Sequence, residues 1–335
     1  MELRSVEATA PTRVDLAGGT LDIWPLYLLH PGAVTVNVAI DRRAWCRVEP
    51  LAAGVQIESR DTATRVEGRD VDEVLASGTL ALPAFILKAL RIQTGVRVLL
   101  HSRVPAGSGL GGSSALAVAI AAAASRAAGR PIEGDALVGL VRDAEAQTIR
   151  IPTGIQDYWA AVHGGVLCVA LEPGGPRAAR LQTEPERVEE SLLLVDAGAT
   201  RFSGINNWEV FKKRIDGEAS VTKALGEIAG LAIRVRAALE SRRYEEVAGL
   251  MREEWEARKR LAPGVTTPEI DRIAEAARSV GGAAKACGAG GGGVVAVWAP
   301  PGPGGREAVA AALLAAGFVP MRFGLDLRGL DVVGL

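Results

Sequence analysis

The chain has 335 residues, 48% of them hydrophobic, 23% charged and 4% aromatic, with a formal net charge of −1. Near-neutral charge provides no field to gather nucleic acid or an acidic membrane surface, and no apolar run reaches spanning length without a charge, Pro or Gly. At this length two domains are expected, each with an aliphatic Ala/Val/Leu core. Cys46, Cys168 and Cys287 are odd in number and far apart, which argues against a disulfide or zinc framework and for a reducing, cytoplasmic setting. His30, His101 and His163 are equally scattered, so neither a His-based metal site nor a Ser-His-Asp triad is expected. The opening Met1–Glu7 does not read as a secretory leader.

In chain order, residues 6–23 read as a short strand ending in a Gly18-Gly19 turn that presents Asp22, with Arg13 on the strand side. Arg13 and Asp22 could face one polar ligand, or Arg13 could form a surface ion pair with Asp15 or Asp22. Ala33–Ile40 and Ala44–Val48 read as paired strands joined by a turn at Asp41-Arg42-Arg43. Residues 51–80 read as irregular, with short strands near Val55–Ile57 and Thr64–Val66. Leu82–Thr94 has helical spacing and Gly95 stops it.

The most informative stretch is Pro105–Ala115, P-A-G-S-G-L-G-G-S-S-A. It follows the alternating run Val96–Val104, which has the period of a strand, and precedes the Ala-rich Leu116–Ala128, which reads as a buried helix. Strand, glycine loop and helix in succession let backbone N–H groups and a helix N-terminus face an anion such as a triphosphate. Ser113 and Ser114 are placed to cap the helix. No Gly-Lys-Ser/Thr follows, so this is not a Walker A loop. Gly107, Gly109 and Gly112 match G-x-G-x-x-G by letter, but no strand-end acid lies about 20 residues on, as a dinucleotide site requires. The alternative is a tight turn with ordinary caps.

Gly134–Ile149 reads as a helix with Glu145 near its C-terminal end, where a cation partner would help. Ile151–Gly165 follows, with Thr153 able to cap a short helix and Asp157 in that helix's first turns. There Asp157 could do no more than complement the dipole. Gly164-Gly165 feeds a strand, Val166–Leu171. Residues 172–191 are rich in Pro, Gly and charge and read as the linker between domains. Beyond it come a strand at Leu192–Val195, a loop at Ala197–Asn207 and helices near Trp208–Ile215, Ser220–Glu240, Tyr244–Leu261 and Pro268–Val280. A second glycine loop, K-A-C-G-A-G-G-G-G at 285–293, leads into a strand at Val294–Ala299. A helix at Arg306–Ala316 and a strand at Phe318–Phe323 close an α+β pattern in both halves.

Pro105–Ala115 resembles the phosphate loop of the GHMP kinases (galactokinase, homoserine kinase, mevalonate kinase and phosphomevalonate kinase). Pro11–Asp22, P-T-R-V-D-L-A-G-G-T-L-D, resembles their first motif, and Lys285–Gly293 their third. All three occur in the family's order. The first two, with Gln156-Asp157 and Arg201–Gly204, are most similar to the D-glycero-D-manno-heptose 7-phosphate kinase and fucokinase branch. Tyr158-Trp159 departs from that branch, where a second Gln often follows the Asp. The resemblance implies a two-domain GHMP kinase fold: an N-terminal ATP-binding domain over 1–180, a ferredoxin-like C-terminal domain over 190–335, and a cleft between them.

It further implies ATP and Mg²⁺ as cofactors and transfer of the γ-phosphate to a hydroxyl of a sugar or sugar phosphate, heptose 7-phosphate-like or a free sugar such as fucose, galactose or glucuronate. Pro105, Gly107, Ser108, Gly109, Leu110, Gly111, Gly112, Ser113 and Ser114 form the nucleotide cradle in this reading. Ser114, or Ser113 if the extra Gly shifts the register, joins Glu145 as a metal ligand. Asp157 takes or aligns the substrate hydroxyl proton beside Arg13. Asp22, Gly18, Gly19, Gly288, Gly290 and Gly291 fall on the substrate side, and residues 59–90 are the candidate lining of the adenine pocket. Lys285 could reach an anion, with a solvated role the expectation, and packing is expected for Cys287. Arg42, Arg43, Arg201 and Lys212 are the cations available to a phosphorylated substrate. Competing readings are a catalytically inactive sugar- and ATP-binding regulator, which Arg13, Glu145 and Asp157 together argue against, and a diphosphate decarboxylase, against which Asp22 argues. No nucleic-acid or membrane partner is expected, and a homodimer is left open.

Overall fold

The computed structural model of the protein describes residues 3–198 and 207–335. Its first half comprises β1 (Val6–Ala17), β2 (Val34–Pro50), β3 (Val55–Ser59), β4 (Thr64–Gly68), α1 (Val71–Ala76), α2 (Ala81–Ala89), β5 (Val96–Ser102), α3 (Gly112–Ala127), α4 (Gly134–Ile149), α5 (Gln156–His163), β6 (Val166–Ala170) and β7 (Arg177–Arg180). The second half adds α6 (Pro185–Ser191), β8 (Leu192–Asp196), α7 (Asn207–Ile215), α8 (Ala219–Glu240), α9 (Tyr244–Lys259), α10 (Pro268–Arg278), β9 (Ala283–Ala286), β10 (Val294–Trp298), α11 (Gly305–Ala315) and β11 (Asp331–Gly334).

The two strands expected around Asp41-Arg42-Arg43 are one. β2 runs unbroken from Val34 to Pro50; its first part pairs with β6 and its last part with β5. Along β1 the register jumps from Pro11 opposite Arg43 to Thr12 opposite Ile40, so Asp41 and Arg42 form a bulge within the strand and the triplet is not a turn. Burial explains the two segments: residues 34–40 are wholly buried, whereas 44–50 alternate as a one-sided strand does. α3 lies on β1 and β2 with twelve of its sixteen residues buried. Its alanines let the helix backbone approach the sheet closely. It begins at Gly112 with Gly111 as N-cap, so Ser113 and Ser114 are inside the first turn and do not cap it. The stretch 172–191, expected as a linker, contains β7, paired to β6, and α6.

In the second half β8, β10 and β9 form a three-stranded antiparallel sheet. α9 and α10 cover β9, and α8 rests on both α9 and the first sheet. The strand expected at Phe318–Phe323 is reduced to a single bridge, Pro320 to Val195, at the outer edge of β8. Beyond it the chain returns to the first half: Leu325 bridges to Ile40, and β11 pairs with β1 as an edge of the eight-stranded sheet. The range 190–335 expected for the second domain therefore includes a tail that belongs structurally to the first sheet.

Candidate active site

The two halves meet over a cleft of about 480 Å³. One wall is the first glycine loop and the start of α3. Another is the end of β1 with its turn, and a third is the start of α5; Arg258 of α9 and Gly288-Ala289 close it. Of the expected cradle, Pro105, Gly107, Ser108, Gly109, Gly111, Gly112 and Ser113 line the cleft, whereas Leu110 and Ser114 do not. Leu110 is fully buried in the core and its carbonyl accepts the Arg13 backbone N–H at 2.9 Å. From the stretch 59–90, Ser59, Asp61, Thr62 and Leu80 reach the wall.

The second glycine loop does not mirror the first; it supports it. The Val294 N–H donates to the Ser108 carbonyl at 2.8 Å. A Cβ on Gly109 would lie 2.7 Å from the Cys287 carbonyl oxygen, and one on Gly288 would lie 2.9 Å from the Gly109 Cα. Gly109 also has φ +77°, so a side chain there is excluded twice. Of the glycines expected on the substrate side, Gly19 and Gly288 line the cleft. Gly18 packs against β2, and Gly290 and Gly291 pack on Val265. Cys287 is buried, and burial pushes its thiol up to about 12, as expected of a packing residue.

Arg13 and Asp157 meet across the cleft floor. Arg13 Nε donates to Asp157 Oδ1 at 2.6 Å and Arg13 Nη1 to the Gly109 carbonyl. Gly111 backs the same carboxylate: a Cβ there would stand 2.9 Å from Asp157 Oδ2. Burial opposes the Arg13 charge, but Asp157 and Asp15 outweigh it and raise its pKa above the ordinary value. The surface ion pair weighed for Arg13 is thus replaced by a partly buried bridge, at the cleft, to a residue 144 positions away.

Glu145 is buried beside α3. It accepts from Ser113 Oγ at 2.6 Å and Ser114 Oγ at 3.0 Å, and from the Tyr158 hydroxyl. Burial first, and Glu145 second, push the Tyr158 hydroxyl well above its ordinary pKa, so it remains a donor. Only Ser113 of this group reaches the cleft wall.

Asp22 lines the cleft, yet its carboxylate is engaged by backbone: Oδ2 accepts from Ile155 N at 2.7 Å and Gln156 N at 2.9 Å. Burial raises its pKa to about 6, against these two hydrogen bonds. Thr153, expected to cap α5, instead points its hydroxyl at the Gly154 carbonyl.

A buried four-charge cluster, which sequence reasoning missed, ties the halves together. Lys285 Nζ lies 2.9 Å from Glu254 Oε1 and 3.3 Å from Asp15 Oδ2, and Arg258 Nη2 lies 3.1 Å from the same Asp15 oxygen. All four side chains are at most 1% exposed. Lys285, expected in solvent, is therefore a structural cation. Burial disfavours the Asp15 charge, but Lys285, Arg258 and Arg13 together lower its pKa below the ordinary range. Arg258 Nη1 also donates to the Gly288 carbonyl at 2.9 Å, linking the cluster to the cleft wall. A signal was present: Val247, Met251, Glu254, Trp255 and Arg258 share one helical stripe, so the charged pair falls on the apolar face of α9. The cations expected for a substrate phosphate are elsewhere. Arg42 donates to the Arg322 carbonyl, Arg43 pairs with Asp326 and Lys212 with Asp216, and none lines the cleft. Arg201 lies outside the described residues.

A glycine loop at a helix start, held against an Arg–Asp pair on a two-domain α+β frame, is an arrangement suited to a phosphotransferase. Family comparison agrees. The chain belongs to the GHMP kinases: residues 79–165 match their N-terminal domain and 235–318 their C-terminal one, together just over half the chain. It is 25% identical over 313 residues to the bifunctional fucokinase/GDP-fucose pyrophosphorylase of Arabidopsis thaliana, covering 87% of this chain but only 29% of that protein. It is also 25% identical over 314 residues to D-glycero-alpha-D-manno-heptose 7-phosphate kinase of Campylobacter jejuni, covering 89% of this chain and 91% of that one. In structure it resembles a D-glycero-D-manno-heptose 1-phosphate kinase from Bacteroides thetaiotaomicron, with TM-score 0.77 and 22% identity over 98% of this chain and 99% of that one. Among the described residues no helix is long and apolar enough to cross a membrane.

Two outcomes test this electrostatic picture. Lys285→Met leaves two buried carboxylates facing one guanidinium, and a loss of about 3–5 kcal/mol in unfolding free energy is expected. Lys285→Met/Glu254→Gln restores neutrality and is expected to recover more than half of that loss in denaturant titrations; additive losses would contradict the network. For Asp22, the folded pKa of about 6 lies above the unfolded value, so the native state binds the extra proton between roughly pH 4 and 6. Stability from this group is therefore greatest below the unfolded pKa and is lost as pH rises through about 6. Asp22→Asn removes that titration. Relative to the parent, its unfolding free energy is expected to improve by about 1–3 kcal/mol between pH 4.5 and pH 7.5. A gap that does not change with pH would contradict the buried carboxylate.

Proposed function

We propose that the protein transfers the γ-phosphate of Mg·ATP to a hydroxyl of a sugar or sugar phosphate, heptose 7-phosphate-like in character. The observation that carries this reading is the Arg13–Asp157 pair, fastened to Gly109 and backed by Gly111 of the loop that faces the cleft. Backbone N–H groups of Gly107, Gly109 and 111–113 and the α3 N-terminus cradle the triphosphate. Asp157 accepts or aligns the acceptor's hydroxyl proton while that oxygen bonds to the γ-phosphorus and the bond to the ADP oxygen breaks. Arg13 spreads the charge of the transferring group.

A divalent cation fits the donor set beside this loop. Three hydroxyls converge on the Glu145 carboxylate, an all-oxygen group suited to a hard cation that completes its shell from phosphate and water. Ser113 and Glu145 would hold it, because Ser113 is the serine that also reaches the cleft. Bound there, Mg²⁺ would neutralise phosphate charge.

One observation favours a second reading, an uncharged sugar. Charged groups on the described cleft wall are Asp15, Asp22, Asp61 and Asp157 against Arg13 and Arg258, and both arginines are paired to carboxylates. Carboxylates accept sugar hydroxyls well and repel a second phosphate.

ADP release with Mg·ATP across heptose 7-phosphate, fucose, galactose and glucuronate, with mevalonate and homoserine as outgroups, tests both readings. Sugar-dependent release is expected, and Asp157→Asn is expected to lower kcat by roughly 10²–10⁴-fold. Near-normal turnover in that variant contradicts the assignment of Asp157. Nucleotide and sugar binding with no ADP release would favour the inactive regulator.

A further inference from the structure

We propose that Asp22 is a positioning residue for Asp157, capping α5 from a distant turn and so fixing the carboxylate at the reacting centre. This rests on the role given to Asp157 above. Three independent features support it.

The first is the state of the helix end. α5 begins at Gln156, and its own N-cap position is Ile155, whose side chain has nothing to accept with. The first N–H groups of a helix need an acceptor from outside it. Asp22 Oδ2 takes two of them, Ile155 N and Gln156 N, from 133 and 134 residues away. The next residue is Asp157, so the cap acts on the peptide units that set where that carboxylate starts.

The second is the fit of the neighbouring chain. Gly154 passes so close that a Cβ on it would lie 2.9 Å from Asp22 Cγ and closer still to Oδ2. The segment between α4 and α5 is thus shaped to the carboxylate.

The third is how Asp22 itself is held. Leu21 and Ile23 on either side are buried, and Leu21 N and Ile23 N donate to the Gly18 and Thr20 carbonyls at 3.2 and 3.4 Å. A residue anchored on both sides can transmit position. Asp157 is then constrained twice: at its carboxylate by Arg13 and at its helix by Asp22. In this arrangement the Oδ2 atom of Asp22 is committed to backbone, and its effect on the reaction passes through Asp157.

Three variants and two readouts test this. Asp22→Ala removes the cap, Asp22→Asn keeps a carbonyl oxygen that accepts both N–H groups, and Gly154→Ala displaces the carboxylate while removing no polar group. Amide hydrogen exchange of residues 155–160 in the full chain reads the cap without any turnover. Faster exchange is expected in Asp22→Ala and Gly154→Ala, and near-parent exchange in Asp22→Asn. With a working acceptor, kcat is expected to fall roughly 10- to 100-fold in Asp22→Ala and Gly154→Ala at little-changed KM for ATP, and to be largely rescued in Asp22→Asn. Gly154→Ala added to Asp22→Ala is expected to do no further harm, since the clash partner is gone. Unchanged exchange in Asp22→Ala overturns the proposal. So does an equal rise in acceptor KM in Asp22→Ala and Asp22→Asn at constant kcat, which would make Asp22 a direct sugar ligand. If exchange responds as expected but no acceptor is phosphorylated, the capping role stands and the kinase reading fails.

Discussion

The cleft depends on two glycine loops from opposite halves of the chain meeting backbone to backbone. At Gly109 and Gly288 there is no room for a side chain on either strand of the contact. The first loop therefore rests on a surface made of peptide groups, with Val294 N donating to the Ser108 carbonyl at its centre. The loop is held largely through its carbonyls: Ser108 to Val294, Gly109 to the Arg13 side chain and Leu110 to the Arg13 backbone. Two of its N–H groups are used within the loop, Ser108 N to the Pro105 carbonyl at 3.2 Å and Leu110 N to the Ser108 hydroxyl at 3.5 Å.

The electrostatics follow a similar division. Two charge systems lie within a few residues of one another on β1. Asp15 joins Lys285, Arg258 and Glu254 in a neutral, solvent-free cluster that spans the two halves. Arg13, two positions earlier, leaves that cluster to meet Asp157 at the cleft. The buried cluster fixes the approach of α9 and β9 to β1, and through Arg258 and Gly288 it reaches the loop contact itself. Breaking a buried pair is far more damaging than never having had one, so any relative placement of the halves that separates these partners is strongly disfavoured.

Much of this was legible in the sequence, for identifiable reasons. The strand, glycine loop and helix around Pro105–Ala115 could be read because spacing and glycine content are local signals, and Arg13 and Asp157 could be named because their motifs are local too. What failed was non-local. Asp41-Arg42-Arg43 has the composition of a turn, and only the pairing of one strand with β5 and β6 at its two ends makes it a bulge. Lys285 looked solvated because nothing within nine residues of it offers a carboxylate; its partners are 31 and 270 positions away. One point was local and still not legible: Ser113 and Ser114 differ by one helix position, about 100° of rotation, and of the two Ser113 lines the cleft. Asp22 was read as a substrate group from its turn and from the family resemblance, and it does line the cleft; its hydrogen bonds to a helix end more than a hundred residues downstream could not be read locally.

The most direct test of the central claim, that this geometry moves a phosphoryl group onto a sugar hydroxyl, is a ³¹P NMR time course with Mg·ATP and the best sugar acceptor. The account predicts that the γ-phosphorus signal is replaced by a phosphomonoester resonance, with ADP appearing in equal amount, and that the conversion slows roughly 10²–10⁴-fold in Asp157→Asn. Appearance of the γ-phosphorus only as orthophosphate, or an unchanged ATP spectrum with nucleotide and sugar both bound, would contradict it.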